Sequence, residues 1–165
     1  MKTIIYPGTF DPVTLGHLDV IARAARLFER VVVGVGDNPA KDALFTQKER
    51  VELIRQEAAH LPNVTVKGFN GLVVEFARAE QTTLILRGIR TVADLEYEVQ
   101  MAFANRACAQ VETLFIAPSP AFASVNARFI KEIAAMGGNV EGMVSPAVRD
   151  RLLARYGSAR PGSKP

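Results

Sequence analysis

Short apolar segments alternate with longer amphipathic segments along most of the chain, and this alternation constrains the fold more than any other sequence feature. The apolar segments lack the every-second-residue alternation of a strand with one face in water. We therefore predict strands that are covered on both faces, at residues 3–6, 31–35, 64–69, 83–86 and 113–116. The amphipathic segments predict helices at residues 14–28, 46–61, 72–79, 94–108, 126–136 and 145–155.

This order of elements predicts an α/β fold, a Rossmann-like five-stranded parallel sheet with helices on both faces. In such sheets ligands bind beyond the carboxyl ends of the strands, so functional residues should follow each strand. The 165 residues fit a single domain, which we expect to span residues 1–156. Residues 157–165 consist mainly of Gly, Ser, Pro and basic residues, and we expect them to form a disordered tail.

Composition narrows the possible partners. The net charge is only +3, and no stripe of Lys and Arg predicts nucleic-acid binding. No apolar run approaches the ~18 residues that a membrane-spanning helix needs. The chain has one cysteine, Cys108, so it cannot form an internal disulfide, which fits a reducing compartment. We expect a cytoplasmic protein that binds neither a membrane nor a nucleic acid.

The segment from Tyr6 to His17 carries the most specific chemistry. Gly8, just after the first predicted strand, allows the backbone to approach a ligand closely. The next helix begins near Thr14, and its free N–H groups favour an anion. His17, one turn into that helix, can donate a hydrogen bond to a phosphate oxygen. A lone histidine here would more often serve packing, but the surrounding residues favour phosphate binding.

Two basic sites follow other strands. Arg87 and Arg90 flank a glycine after the fourth predicted strand, where two guanidinium groups suit a phosphorylated ligand. The alternative is a salt bridge to Glu96 or Glu98. Lys41 lies in the loop after the second predicted strand, and a lysine in such a loop is by itself usually only solvated.

Together these motifs resemble a known family. Gly8-Thr9-Phe10-Asp11-Pro12 and Thr14-Leu15-Gly16-His17 resemble the signature of the nucleotidylyltransferase superfamily. With Arg87-Gly88-Ile89-Arg90 and Asp94-Leu95-Glu96-Tyr97-Glu98, the chain is similar to bacterial phosphopantetheine adenylyltransferases from about residue 2 to residue 156.

The resemblance implies an enzyme of coenzyme A biosynthesis. It would transfer the adenylyl group of ATP to 4′-phosphopantetheine and release dephospho-coenzyme A and pyrophosphate, the penultimate step of that synthesis. It also implies Mg²⁺ bound mainly through the ATP phosphates, with no protein ligand to the metal. A homohexamer is expected, and coenzyme A is a candidate feedback ligand.

The resemblance also assigns roles to individual residues. It implies that the catalytic residues are His17, Lys41 and Arg90. It implies that the substrate phosphopantetheine is bound by Thr9, Lys41, Leu72, Val73, Arg87, Met101 and Asn105. It implies that ATP is bound by Gly8, Thr9, Phe10, His17, Gly88, Ile89, Arg90, Glu98, Phe122, Ala123, Ser124, Val125, Asn126, Ala127 and Arg128.

One segment departs from the family pattern. Relatives usually have Ile-Ser-Ser followed by Ser or Thr where this chain has Val125-Asn126-Ala127-Arg128. We expect Asn126 to replace a serine as N-cap of the next helix, so that backbone N–H groups still face the phosphates. Arg128 either adds a contact to ATP or points into solvent. The aromatic residue near the adenine, often Trp in the family, would be Phe122.

Two other functions are compatible with the sequence. The chain could be a related nucleotidylyltransferase, such as a nicotinamide mononucleotide adenylyltransferase or a cytidylyltransferase. The threonine in the signature and the Arg-Gly-x-Arg segment argue against this reading. It could also be a nucleotide-binding sensor without catalysis, which only the missing serines support.

Overall fold

The structure is a computed structural model that describes residues 2–37 and 42–157. Five strands are present, namely β1 (Thr3–Gly8), β2 (Arg30–Asp37), β3 (Val64–Asn70), β4 (Leu84–Gly88) and β5 (Glu112–Ile116). The α-helices of the described chain are α1 (Leu15–Leu27), α2 (Gln47–Glu57), α3 (Val73–Ala79), α4 (Val92–Ala109), α5 (Ala127–Ala135) and α6 (Pro146–Tyr156). A 3₁₀ turn at Pro120–Phe122 precedes α5.

The strands form one parallel sheet in the order β3-β2-β1-β4-β5. The chain first builds outward from β1 to β3, and then returns to the other side of β1 with β4. The strand order therefore reverses between β1 and β4, and the carboxyl edge at this point is the usual ligand site of such sheets. The α/β, Rossmann-like fold predicted from the sequence is confirmed.

The predicted elements are all present, with shifted ends. Helix α2 ends at Glu57, although the apolar pattern extended it to residue 61. Pro62 explains part of this difference, because the residue before a proline avoids helical backbone angles. Strands β1 and β2 continue to Gly8 and Asp37, beyond their predicted ends.

The core lies on both faces of the central strands. Ile4 and Ile5 of β1 point to opposite faces and are both fully buried, as are Val31 and Val32 of β2. Burial on both faces explains why these strands read as continuous apolar runs. This packed centre holds the carboxyl ends of β1 and β4 in fixed positions, and the functional groups follow those ends.

Helix α4 and strand β5 are much more exposed than the centre of the sheet. Glu98 is the one buried side chain of α4, and Leu114 and Phe115 of β5 are partly exposed. Within residues 2–37 and 42–157, no helix is both long enough and apolar enough to cross a bilayer.

Candidate active site

A cleft of about 410 Å³ opens at the carboxyl edge of the sheet, between the ends of β1 and β4. Its walls come from the β1–α1 turn, the β4–α4 turn and the start of α5. The sequence-predicted residues that line it are Gly8, Thr9, Phe10, His17, Arg87, Gly88, Arg90, Glu98, Val125, Ala127 and Arg128.

A second cavity of about 170 Å³ adjoins the cleft, because Pro7, Arg87 and Glu98 line both. Its lining includes Val73, Met101 and Asn105, which the resemblance assigned to the substrate. The structure thus brings together members of the two predicted groups of binding residues, and Arg87 and Glu98 lie where the two cavities meet. Leu72 lines neither cavity and is 63% exposed.

The turn after β1 is shaped by a glycine and an aromatic ring. The Phe10 ring packs so closely on Gly8 that a Cβ at Gly8 would lie 2.9 Å from it. Phe10 itself has φ of 51°, which is uncommon for a residue other than glycine. The buried Phe10 ring also meets the His17 ring edge-on, with 5.0 Å between the ring centroids. The Phe10 side chain therefore packs beneath the turn and contacts the His17 ring.

His17 is held in one tautomer. Thr14 caps α1, and its backbone N–H donates to Nδ1 of His17 at 3.1 Å. Because a backbone N–H is only a donor, Nδ1 must be the accepting nitrogen, and the ring proton lies on Nε2. Burial, together with the positive charges of Arg90 and Arg87, lowers the pKa of His17 from 6.5 to about 4. Near pH 7 His17 is therefore a neutral donor, with its Nε2–H available to a ligand in the cleft.

Arg87 forms a two-point ion pair with Glu98 of α4. Its Nε donates to Oε2 at 2.7 Å, and its Nη2 donates to Oε1. Nη1 donates to the carbonyl of Pro7. Burial alone would lower the pKa of Arg87, but the hydrogen bond and charge of Glu98 raise it overall. The salt bridge considered as an alternative from the sequence is present, and it fixes the Arg87 guanidinium at the junction of the cavities.

Arg90 connects two walls of the cleft. Its Nη1 donates to the Val125 carbonyl at 3.0 Å, and its Nε donates to Oδ2 of Asp94 at 3.2 Å. About one third of its side chain is exposed. Arg90 is therefore oriented by the loop before α5 and remains accessible to an anion.

The N-terminus of α5 contains the departure from the family pattern. Asn126 caps the helix, and its Oδ1 accepts the Arg128 N–H at 2.9 Å, so the predicted N-cap is confirmed. The Arg128 side chain is 81% exposed and donates to Glu132 at 3.0 Å. In the structure Arg128 lies at the rim of the cleft and is paired along its own helix.

Several predicted ATP residues do not line the cleft. Phe122 lies against the start of α1, close to Gly16. The Ile89 N–H donates to the Ile116 carbonyl and continues the sheet. The residues without cleft-lining atoms are Ile89, Phe122, Ala123, Ser124 and Asn126. Their contacts to ATP remain predictions. Lys41 falls outside the described residues, as do residues 158–165 of the predicted tail.

Sequence reasoning missed three charged groups around the cleft. Buried Asp11 accepts the N–H groups of Leu44 and Phe45 and is paired with Nζ of Lys131 at 2.7 Å. Asp11 belongs to the signature after β1 and Lys131 lies in α5, 120 residues further along the chain, so no local pattern in the sequence predicts this pair.

The third group is the Arg50 guanidinium, whose side chain is 1% exposed. It donates to the carbonyls of Thr9 and Gly36 and to the carboxylate of Asp37. Arg50 thus holds the turn after β1 against the end of β2. Its neighbours in the sequence gave no signal for this role.

Comparisons with known proteins agree with this geometry. Residues 5–138 match the family model described as cytidylyltransferase-like. The chain is 48% identical over 158 residues to a phosphopantetheine adenylyltransferase of Moorella thermoacetica, covering 95% of this chain and 99% of the relative. It is 48% identical over 157 residues to the Hahella chejuensis protein of the same name, covering 94% and 98%.

A solved structure supports the fold alone. A crystal structure of a Vibrio parahaemolyticus protein, described as a nicotinate-nucleotide adenylyltransferase, superimposes with a TM-score of 0.68 at 16% identity. The superposition covers 97% of this chain and 98% of that one. The family model and the two relatives at 48% identity show that the chain belongs to the phosphopantetheine adenylyltransferase family of cytidylyltransferase-like nucleotidyltransferases.

Proposed function

We propose that this chain catalyses adenylyl transfer from ATP to 4′-phosphopantetheine, with release of dephospho-coenzyme A and pyrophosphate. The observation that carries the proposal is the junction of the two cavities at Arg87 and Glu98. The larger cleft combines a neutral histidine donor with arginine side chains, and these groups suit the phosphates of a nucleoside triphosphate. The smaller cavity runs under α4 and suits the narrow, mostly apolar pantetheine arm.

This transfer requires that the two substrates are positioned for attack and that the negative charge developing on the phosphates is stabilised. A phosphate oxygen of phosphopantetheine attacks the α-phosphorus of ATP, and the bond from that phosphorus to the bridging oxygen of pyrophosphate breaks. No covalent intermediate on the enzyme is involved. Nε2–H of His17 donates to a phosphate oxygen as charge develops, and Arg90 stabilises the same charge. Arg87 and Thr9 hold the attacking phosphate beside the cleft, and Lys41 is proposed to neutralise it.

The four cations that line the cleft within the described residues are already paired with carboxylates. Arg87 pairs with Glu98, Arg90 with Asp94, Lys131 with Asp11, and Arg128 with Glu132. Bound phosphates must therefore share these cations with protein carboxylates.

Mg²⁺ is the proposed cofactor, and when bound it supplies positive charge to the triphosphate. The metal is proposed to be held mainly by ATP phosphates and water, without a protein ligand, since Mg²⁺ commonly keeps several waters and binds through substrate phosphates.

The assay that tests the function measures pyrophosphate release from ATP and Mg²⁺ with 4′-phosphopantetheine, and in parallel with nicotinamide mononucleotide. We expect release with phosphopantetheine only. Release with the mononucleotide alone would assign a different nucleotidylyltransferase. ATP binding with no release from either acceptor would indicate a sensor and contradict the proposal.

We also propose that the chain assembles with copies of itself, as a homohexamer in the cytoplasm. Helix α4 exposes Val92, Tyr97 and Phe103 at 83%, 62% and 67%. Leu114 and Phe115 of β5 are each 41% exposed as well, and large apolar side chains exposed in this way are candidates for an interface between copies of the chain. The number six rests on the family resemblance. Coenzyme A, which contains both an adenylate and a pantetheine arm, is the proposed feedback ligand of the same two cavities.

A further inference from the structure

The cavity under α4 is lined by Thr113 of β5, a residue whose side-chain hydroxyl has no hydrogen-bond partner among the described residues. Oγ1 of Thr113, on β5, is buried, and among the described residues it has no donor or acceptor within reach. Buried polar groups in folded proteins are nearly always paired, because a group that loses water without gaining a partner destabilises the fold. The hydroxyl is covered in the free protein, and a rotation of the Thr113 side chain about its Cα–Cβ bond turns it toward a ligand in the cavity, which can then satisfy it.

The position of Thr113 in the sheet places it across the cavity from α4. Thr113 is aligned with Ile85 of β4, and both residues line the cavity on the sheet side. Met101 and Asn105 of α4 line the opposite side. A ligand in this cavity lies between the helix and the sheet, and it can reach polar groups on both.

The remaining lining leaves few polar groups for such a ligand. Arg87 and Glu98 are bonded to each other, and Tyr97 is mostly exposed. The amide of Asn105 and the hydroxyl of Thr113 remain, among apolar side chains from Pro7, Val73, Ile85, Met101 and Ala102. An amide group of a ligand buried there needs a partner, because an unpaired amide in apolar surroundings is costly.

We propose that Thr113 is a specificity-determining residue, whose hydroxyl forms a hydrogen bond with an amide of the pantetheine arm. This inference rests on the proposed function. The arm carries two amides joined by short aliphatic links, so it offers both N–H donors and carbonyl acceptors. A threonine hydroxyl can serve either, since it donates one hydrogen bond and accepts others. Binding of the arm satisfies the hydroxyl that is unpaired in the free protein.

The test replaces Thr113 by valine, which has the same shape and lacks the hydroxyl. For Thr113→Val we expect the KM for 4′-phosphopantetheine to rise about tenfold, with the KM for ATP unchanged. The free variant should melt at the same or a higher temperature, because an unpaired hydroxyl has been removed. Thr113→Ser, which keeps the hydroxyl, is the matched control and should stay within about twofold of the wild-type KM.

Three outcomes would overturn the inference. They are an unchanged KM for phosphopantetheine in Thr113→Val, an equal rise in the KM values of both substrates, and a Thr113→Ser variant that behaves like Thr113→Val. If Thr113→Val does not fold, the same comparison is made with Thr113→Ala. Failure of the proposed function would give a different result, because the wild-type chain would then release no pyrophosphate with phosphopantetheine.

Discussion

At the scale of single residues, the protonation of His17 is the feature most directly tied to the proposed catalysis. The Thr14 N–H occupies Nδ1, so the imidazole can approach the phosphates only as an Nε2–H donor. A neutral donor suits this position because Arg87 and Arg90 already supply positive charge. Burial is the main cause of the low pKa of His17, and the positive charges of Arg90 and Arg87, which also attract phosphates, lower that pKa further.

Loss of this donor should reduce the rate more than the binding of ATP. For His17→Ala we expect kcat to fall by about 10²–10³, the usual effect of removing one transition-state donor. The measurement is the initial rate of pyrophosphate release at saturating substrates. His60→Ala is the control, since His60 is the other histidine and is exposed. A near-normal kcat for His17→Ala would contradict the proposed mechanism.

The same pKa predicts how stability depends on pH. The folded protein holds His17 with a pKa of about 4, whereas an unperturbed histidine has a pKa of 6.5. Between these values the unfolded chain binds the extra proton, so the free energy of unfolding contributed by His17 is complete above pH 6.5 and falls as the pH approaches 4.

Urea unfolding of the wild type and His17→Asn at pH 7 and pH 5 isolates this contribution. The wild type should lose more stability than the variant on going to pH 5. Equal losses would show that His17 is not held neutral in the folded protein.

At the scale of elements, the sequence predicted the order of strands and helices because the pattern is local. A strand covered on both faces is apolar throughout, and a helix on the sheet is apolar along one stripe, so β1 and α1 are visible in the sequence. The ends of elements were less predictable, as the early end of α2 at Glu57 shows.

The motifs after β1 and β4 were predicted to lie at the sheet edge, and the structure places them there. Their partners could not be predicted, because the Arg50 contact to Thr9 and the Lys131 contact to Asp11 join residues far apart in the chain. The sequence also left open whether Arg87 would pair with Glu98. That pairing depends on how α4 packs against β4, which only the folded chain determines.

The start of α5 carries the element-scale prediction. Asn126 preserves the cap by accepting the Arg128 N–H, and the Arg128 side chain adds a charge at the rim of the cleft. For Arg128→Ala we expect the KM for ATP to rise about threefold to tenfold with kcat nearly unchanged, as for the loss of one exposed charge-assisted contact.

Glu132→Gln is the matched variant, because it removes the carboxylate that Arg128 contacts in the structure. The Glu132→Gln variant should have a KM for ATP that is unchanged or lower than that of the wild type. If both variants keep the wild-type KM and kcat, Arg128 has no role in ATP binding.

At the scale of the whole molecule, α4 has two roles. One face carries Met101 and Asn105 to the cavity, and Glu98 fixes Arg87, while much of the rest of the helix is exposed. If the proposed substrate-binding residues lie on a helix that its own chain covers so little, the enzyme needs that helix to be held in position. Contact with further copies of the chain would do this, so assembly and substrate binding should be connected through α4.

This connection predicts the effect of a charge on the exposed side of α4. The wild-type chain should have a mass near six times its 17.9 kDa by light scattering at micromolar concentration. Phe103→Glu should lower that mass and raise the KM for phosphopantetheine, because a buried carboxylate opposes association and α4 then loses its support. Leu27→Glu, at the end of α1 and 71% exposed, is the control and should change neither quantity.

A monomeric wild type would contradict the proposed assembly. A Phe103→Glu variant that dissociates but keeps its KM would show that α4 is held by its own chain alone.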